Sequence, residues 1–130
     1  MASRMNTRDL GGRTYVNLET FKRDGTGVKT PVWVAELDGR LVVFTDGTSW
    51  KVKRLRRDPR VRVAACGVMG ALEGPWVQGR GIVVENPQRE ARAYEVLLAK
   101  YGLQMRLIDF FSWLSGRIRR RAILEIELDA

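Results

Sequence analysis

Lys51, Lys53, Arg54, Arg56, Arg57, Arg60 and Arg62 put seven cations into twelve residues, opposed there only by Asp58. Thr45, Thr48 and Ser49 stand immediately before them, with the apolar stretch LVVF upstream and VRVAA downstream. The pattern predicts a turn and a short helix joining two strands. Free backbone N–H groups, the macrodipole and hydroxyl donors converge at such a helix start, which can therefore hold a phosphate. Lys51 and Arg54, three residues apart, share a helix face and would grip one anion together. A solvated basic linker is the alternative, because charge runs usually face water.

The chain has 130 residues and a formal net charge of +8. That length predicts one domain with a modest core, and that charge predicts anionic partners: nucleic acid, a membrane surface, or a phosphorylated or carboxylated small molecule. With no His in the sequence, the commonest general base and metal ligand are missing, and Ser–His and Cys–His nucleophiles go with them. Cys66 is the only Cys and sits in the strand-like VAACGV, where a small buried filler is expected rather than a reactive thiol. No metal site is expected. The carboxylates Glu19, Glu36, Asp38, Asp46 and Asp58 form no spaced pair suited to acid and base roles, so no catalytic side chain is assigned. MASRMNTRDLGG lacks the apolar core of a signal peptide, and no window approaches the ~20 apolar residues of a membrane span. A soluble, cytoplasmic protein is expected, with residues 1–12 a flexible segment, loosely held or packed on a neighbour, and residues 13–130 forming the domain.

Several elements would position the basic segment. Residues 15–21, YVNLETF, alternate as a half-buried strand does. TPVWVAEL (30–37) and RLVVFT (40–45) are joined by Asp38-Gly39, the signature of a type I′ hairpin. Pro31 lacks a ladder donor and belongs at a strand start or edge. Residues 61–67 and 76–85 read as two more strands, the second with glycines where a bend or a close backbone approach is expected, and AILEIEL (122–128) as the sixth. Asn86-Pro87 opens a helix whose packing face is read as Ala91, Tyr94, Leu98 and Tyr101, and Gly102 ends it. A further helix over 104–114, rich in aromatic residues, is expected to cover the barrel mouth or a dimer seam, and Arg117 to Arg121 to form a charged rim. The reading is mainly β: a six-stranded barrel with two or three helices.

Such a chain can still do chemistry if a cofactor supplies the reactive atoms. It can also bind single-stranded nucleic acid, with Trp33, Phe44, Trp50 and Trp76 as stacking platforms. The order of motifs bears on this choice. LETFKRDGTGVKTPVWVAELDGRLVVFT is followed by SWKVKRLRRDPRV, then GRGIVVE, then a helix ending in KYG. From Tyr15 to Leu128 the sequence resembles the pyridoxamine 5′-phosphate oxidase-like split-barrel proteins, and most closely their actinobacterial deazaflavin branch, the F-420-dependent oxidoreductases. KVKRLRRDPRV placed just after a strand ending in Thr is the specific part of the likeness.

The resemblance implies an FMN-binding-type split barrel that forms a homodimer, with two flavin-like cofactors in the seam. It implies that Thr30, Pro31, Val32 and Trp33 run along the tricyclic ring, that Phe44 and Thr45 close on it, and that Lys51, Lys53 and Arg54 hold the phosphate. Trp76 and Gln78 would come from the partner chain. Dense positive charge favours coenzyme F-420, whose polyglutamate tail Arg56, Arg57 and Arg60 would attract, with FMN as the alternative. The implied activity is hydride transfer to a conjugated small-molecule acceptor. A cofactor carrier and a basic barrel binding nucleic acid are the other readings, the last disfavoured.

Overall fold

The computed structural model describes residues 6–102, 104 and 121–129. Seven strands form one antiparallel sheet: β1 (Tyr15–Phe21), β2 (Gly27–Val32), β3 (Val34–Leu37), β4 (Arg40–Asp46), β5 (Arg60–Cys66), β6 (Val77–Val83) and β7 (Arg121–Leu128), in the order β2-β1-β5-β6-β7-β4-β3. Three helices accompany them among the described residues: α1 (Thr7–Gly11), α2 (Trp50–Arg57) and α3 (Pro87–Tyr101). None of the helices described is long and apolar enough to cross a membrane.

The count is seven strands and not six, because the stretch expected as one strand over 30–37 is two. β2 pairs with β1 and β3 with β4, and these pairs lie at opposite ends of the sheet order. The chain passes from one end to the other at Trp33, so the sheet is curled into a half-barrel. Pro31, which has no N–H to donate, stands just before the break.

Alternation along the strands sorts residues to two faces. Val16, Leu18, Val32, Val34, Leu41, Val43, Val61, Val63, Leu124 and Ile126 fill the interior, and α2 closes it with Val52 and Leu55. β1 departs from half-burial: Asn17 and Glu19 on its outer side are also buried. The loop after β5 covers Asn17, whose Nδ2 donates to the Gly70 carbonyl, and Arg62 pairs with Glu19.

α3 packs outside the sheet. Asn86 caps it by accepting from the N–H groups of Gln88 and Arg89, and Pro87 occupies the first turn. Its buried face is Ala93, Leu97 and Tyr101, with Tyr94 and Leu98 half-buried beside them and Ala91 exposed. The expected stripe through Ala91 is thus displaced toward Ala93, because α3 packs against Leu37, Val42 and Ile123. Within the first dozen residues, expected to be loosely held, α1 is capped by reciprocal Asn6 and Asp9 bonds and buries Leu10 completely. Asp38 and Gly39 have φ of 53° and 78°, as a type I′ turn requires. The helix expected over 104–114 lies outside the described residues except for Gln104, as does Arg117 to Arg121 except for Arg121, which opens β7.

Candidate anion and cofactor site

β4 ends in a side-chain turn that sets the start of α2. Asp46 Oδ1 accepts from the N–H and the hydroxyl of Thr48, at 2.8 and 2.7 Å, and the Asp46 carbonyl accepts from Ser49 N–H. Ser49 is the N-cap, yet its side chain makes no capping bond, and its Oγ is buried without a hydrogen-bond partner. One turn inside, Val52 and Leu55 anchor the helix in the core, which commits the neighbouring Lys51 and Arg54 to the protein surface of α2 and not to bulk water.

The cost of that placement shows in their acidity. Burial, then the charge of Arg54, pushes the Lys51 ammonium below its ordinary value, while Asp46 pulls it back. Arg54 is only 9% exposed, and burial followed by the charge of Arg57 lowers its pKa. Its Nε donates to Thr20 Oγ1 at 2.7 Å. Two like charges, desolvated and close, gain from an anion placed between them.

Arg54 also lines a cleft of about 490 Å³ together with Lys22, Arg23, Trp50 and Arg57, and no carboxylate is among these residues. The β1–β2 turn supplies Lys22 and Arg23; it is held by Lys22 N–H to the Thr26 carbonyl, Gly25 N–H to the Lys22 carbonyl, and Asp24 accepting from Thr26 N–H. Arg57 braces the far wall by donating to the Phe21 carbonyl at 2.6 Å. Trp50 is 69% exposed. Lys53 stands outside the cleft, with its Nζ 4.4 Å from the centroid of the Trp50 ring.

The other residues implied by the resemblance divide between faces. Thr30, Val32 and Thr45 point into the barrel, and the Thr30 hydroxyl is buried with no partner. Pro31 is exposed on the outer face. Trp33 stacks on Tyr101, with centroids 4.4 Å apart and planes 9° from parallel. Phe44 faces α3 and lines a cleft of about 330 Å³ with Pro87, Glu90, Tyr94 and Ile123. Trp76 lies under Lys29 and Arg62, and Gln78 lies in a separate cleft with Arg60, Arg62 and Arg80. Within one chain, neither Trp76 nor Gln78 lines the cleft of Arg54 and Trp50.

Of the expected tail residues, Arg57 lines the cationic cleft, Arg56 is exposed, and Arg60 is paired with Asp58 at 2.8 Å. Lys22 and Arg23 did not stand out in the sequence. Their signal was two adjacent cations in the KRDG turn, which matter only once that turn is known to lie beside α2. Cys66 is buried, and burial raises its thiol pKa. Among the described residues no group of three His, Cys, Asp or Glu could hold a metal ion.

Neither a family model nor a curated protein matches the chain. Solved structures do. A conserved hypothetical protein from Mycobacterium tuberculosis superposes with a TM-score of 0.69 at 23% identity, over 93% of this chain and 76% of its own. An F-420 reductase superposes with a TM-score of 0.62 at 17% identity, over 98% and 97% of the two chains. A candidate pyridoxamine 5′-phosphate oxidase from Listeria innocua gives 0.65 at 13% identity, over 93% and 88%. This chain has their split-barrel fold. At these identities the likeness is one of architecture, and the split barrel here places its desolvated cations at the start of α2.

That site fits the phosphate end of a flavin-type cofactor. An unpartnered buried hydroxyl at a helix start, a half-buried ammonium and a buried guanidinium are groups that an anionic oxygen would satisfy. On the ring side, the Thr30 hydroxyl is buried without a partner, as is Asn17 Oδ1 on the neighbouring strand.

Proposed function

We propose that this protein is an oxidoreductase that uses the deazaflavin coenzyme F-420 to reduce a conjugated small-molecule acceptor. The observation that carries the reading is the desolvated pair Lys51 and Arg54 beside the partnerless hydroxyl of Ser49. The bound coenzyme supplies the hydride chemistry, which the chain's side chains lack.

In this reading Ser49 and Lys51 hold the phosphate, with Arg54 behind them. Lys22, Arg23 and Arg57 attract the carboxylates of the tail, each exposed pairing contributing only ~0–1 kcal/mol. Thr30 donates to a polar edge of the ring, and Val32 and Thr45 shield it from water. The protein acts as a homodimer, in which a second copy brings its Trp76 and Gln78 to the seam. FMN is the second reading, favoured by the helix start alone: Ser49 and Lys51 serve one phosphate without calling on the cleft.

The test is a fluorescence titration with F-420 and with FMN, comparing wild type, Lys51→Ala and an Arg23→Ala, Arg57→Ala double variant. Charge-assisted hydrogen bonds of ~1.5–3 kcal/mol predict a loss of tenfold or more for Lys51→Ala. The double variant should weaken F-420 and spare FMN. Binding of neither cofactor by the wild type overturns the proposal.

A further inference from the structure

α3 ends in Lys100-Tyr101-Gly102, and neither the anion site nor the hydride chemistry uses these residues. Their surroundings are specific. Tyr101 is buried against Trp33, ring on ring. The N–H of Val34 donates to the Tyr101 hydroxyl at 2.9 Å, and that hydroxyl lies 2.7 Å from the Thr14 carbonyl and 3.0 Å from the Val34 carbonyl, either of which takes its single proton. Lys100 Nζ donates to the carbonyls of Gly11, Arg13 and Val34 at 2.7, 2.5 and 2.6 Å, matching its three donors. Burial presses on both heads, lowering Lys100 to about 8 and raising Tyr101 to about 12, although the Lys100 stem is exposed. For Lys100 the three carbonyls oppose that push, since they favour the charged form.

Val34 is the first residue of β3, directly after the break where the chain leaves one end of the sheet for the other. Both of its backbone groups are taken by side chains of α3. Thr30 to Val32 pair with β1 and Val34 with Val43 of β4, so Trp33, between the two ladders, has no strand partner and its geometry depends on such outside contacts. The segment immediately upstream, Thr30 to Trp33, is the one that the proposed cofactor ring would contact. We propose that Lys100 and Tyr101 are positioning residues: together they latch the β2–β3 crossover and thereby set the Thr30 to Trp33 segment for its ligand.

This inference rests on the oxidoreductase reading, and its test separates the two. Tyr101→Phe keeps the ring stack and removes the hydroxyl; Lys100→Met removes the ammonium. Ala93→Gly, two helical turns before Tyr101, serves as a control for lost stability. Amide exchange at Thr30 and from Val32 to Val34 should accelerate in Tyr101→Phe, and the F-420 dissociation constant should rise about tenfold, while Ala93→Gly keeps the wild-type constant. Faster exchange with unchanged affinity, or unchanged exchange, overturns the positioning role. If the wild type binds neither F-420 nor FMN, the oxidoreductase reading falls. The latch is then judged by exchange alone, supported by acceleration in Tyr101→Phe and overturned by its absence.

Discussion

Arg54 donates its Nε–H to the hydroxyl of Thr20 across 2.7 Å, tying the helix that begins the anion site to the strand whose turn walls the cleft. Thr20 is completely buried, so no water stands ready to replace it. Thr20→Val therefore leaves a buried guanidinium N–H without an acceptor, at a cost of about 1–3 kcal/mol. Chemical denaturation should show that loss. A variant as stable as wild type would mean that Arg54 finds another acceptor.

Lys51 predicts a pH dependence of binding. Its ammonium is held below the ordinary lysine value by burial and by Arg54, and an anion needs the charged form. Affinity for a phosphorylated cofactor should fall as pH rises through that lowered pKa, below the ordinary lysine range near ~10.4. Lys51→Arg, which stays charged, should flatten the profile. An affinity independent of pH in the wild type would remove Lys51 from the site.

Two glycines of β6 differ in what a methyl group would strike. At Gly79 a Cβ would lie 2.6 Å from the Glu127 carbonyl oxygen and 3.1 Å from Leu128 Cα, so backbone must move. At Gly81 it would meet Leu55 Cδ2 at 2.9 Å, the tip of a side chain. Gly79→Ala should cost at least the ~1–3 kcal/mol of an overpacked core, and Gly81→Ala less. Equal losses in thermal melts would show that Leu55 has no room to turn away.

Tyr101 predicts behaviour in alkali. Burial raises its phenol to about 12, from an ordinary 10.0. The folded protein then keeps a proton that the unfolded chain releases, so this contribution is intact below the ordinary value and is lost as pH climbs through the folded one. Between about pH 9 and pH 12 the wild type should lose melting temperature faster than Tyr101→Phe. Parallel losses would sink the assignment.

Local signals were legible where one or two residues decide the outcome. Asp38-Gly39 forms its turn because both positions must take positive φ, and Asn86-Pro87 opens α3 because the Asn side chain accepts from the first N–H groups. The short basic helix between two strands followed from the apolar runs that flank it. Trp33 was not legible as a break: TPVWVAEL has the alternation of one strand, and nothing local says that its halves join different partners. The face of α3 was displaced from Ala91 toward Ala93 for a similar reason, since the two are equally apolar and only the sheet beneath chooses between them.

What the chain determines by itself, then, is the Asp38-Gly39 turn, the start of α3, that a cationic segment follows β4, and that side-chain acid–base chemistry is poor, since these depend on residue type and near neighbours. Tertiary structure alone decided that Lys22 and Arg23 meet Arg54 and Arg57 around Trp50, that the hydroxyls of Ser49 and Thr30 are buried without partners, and that Trp33 rests on Tyr101. Each of these joins residues distant in sequence, and the pairing that closes a curled sheet is set by the sum of many contacts that no single stretch encodes.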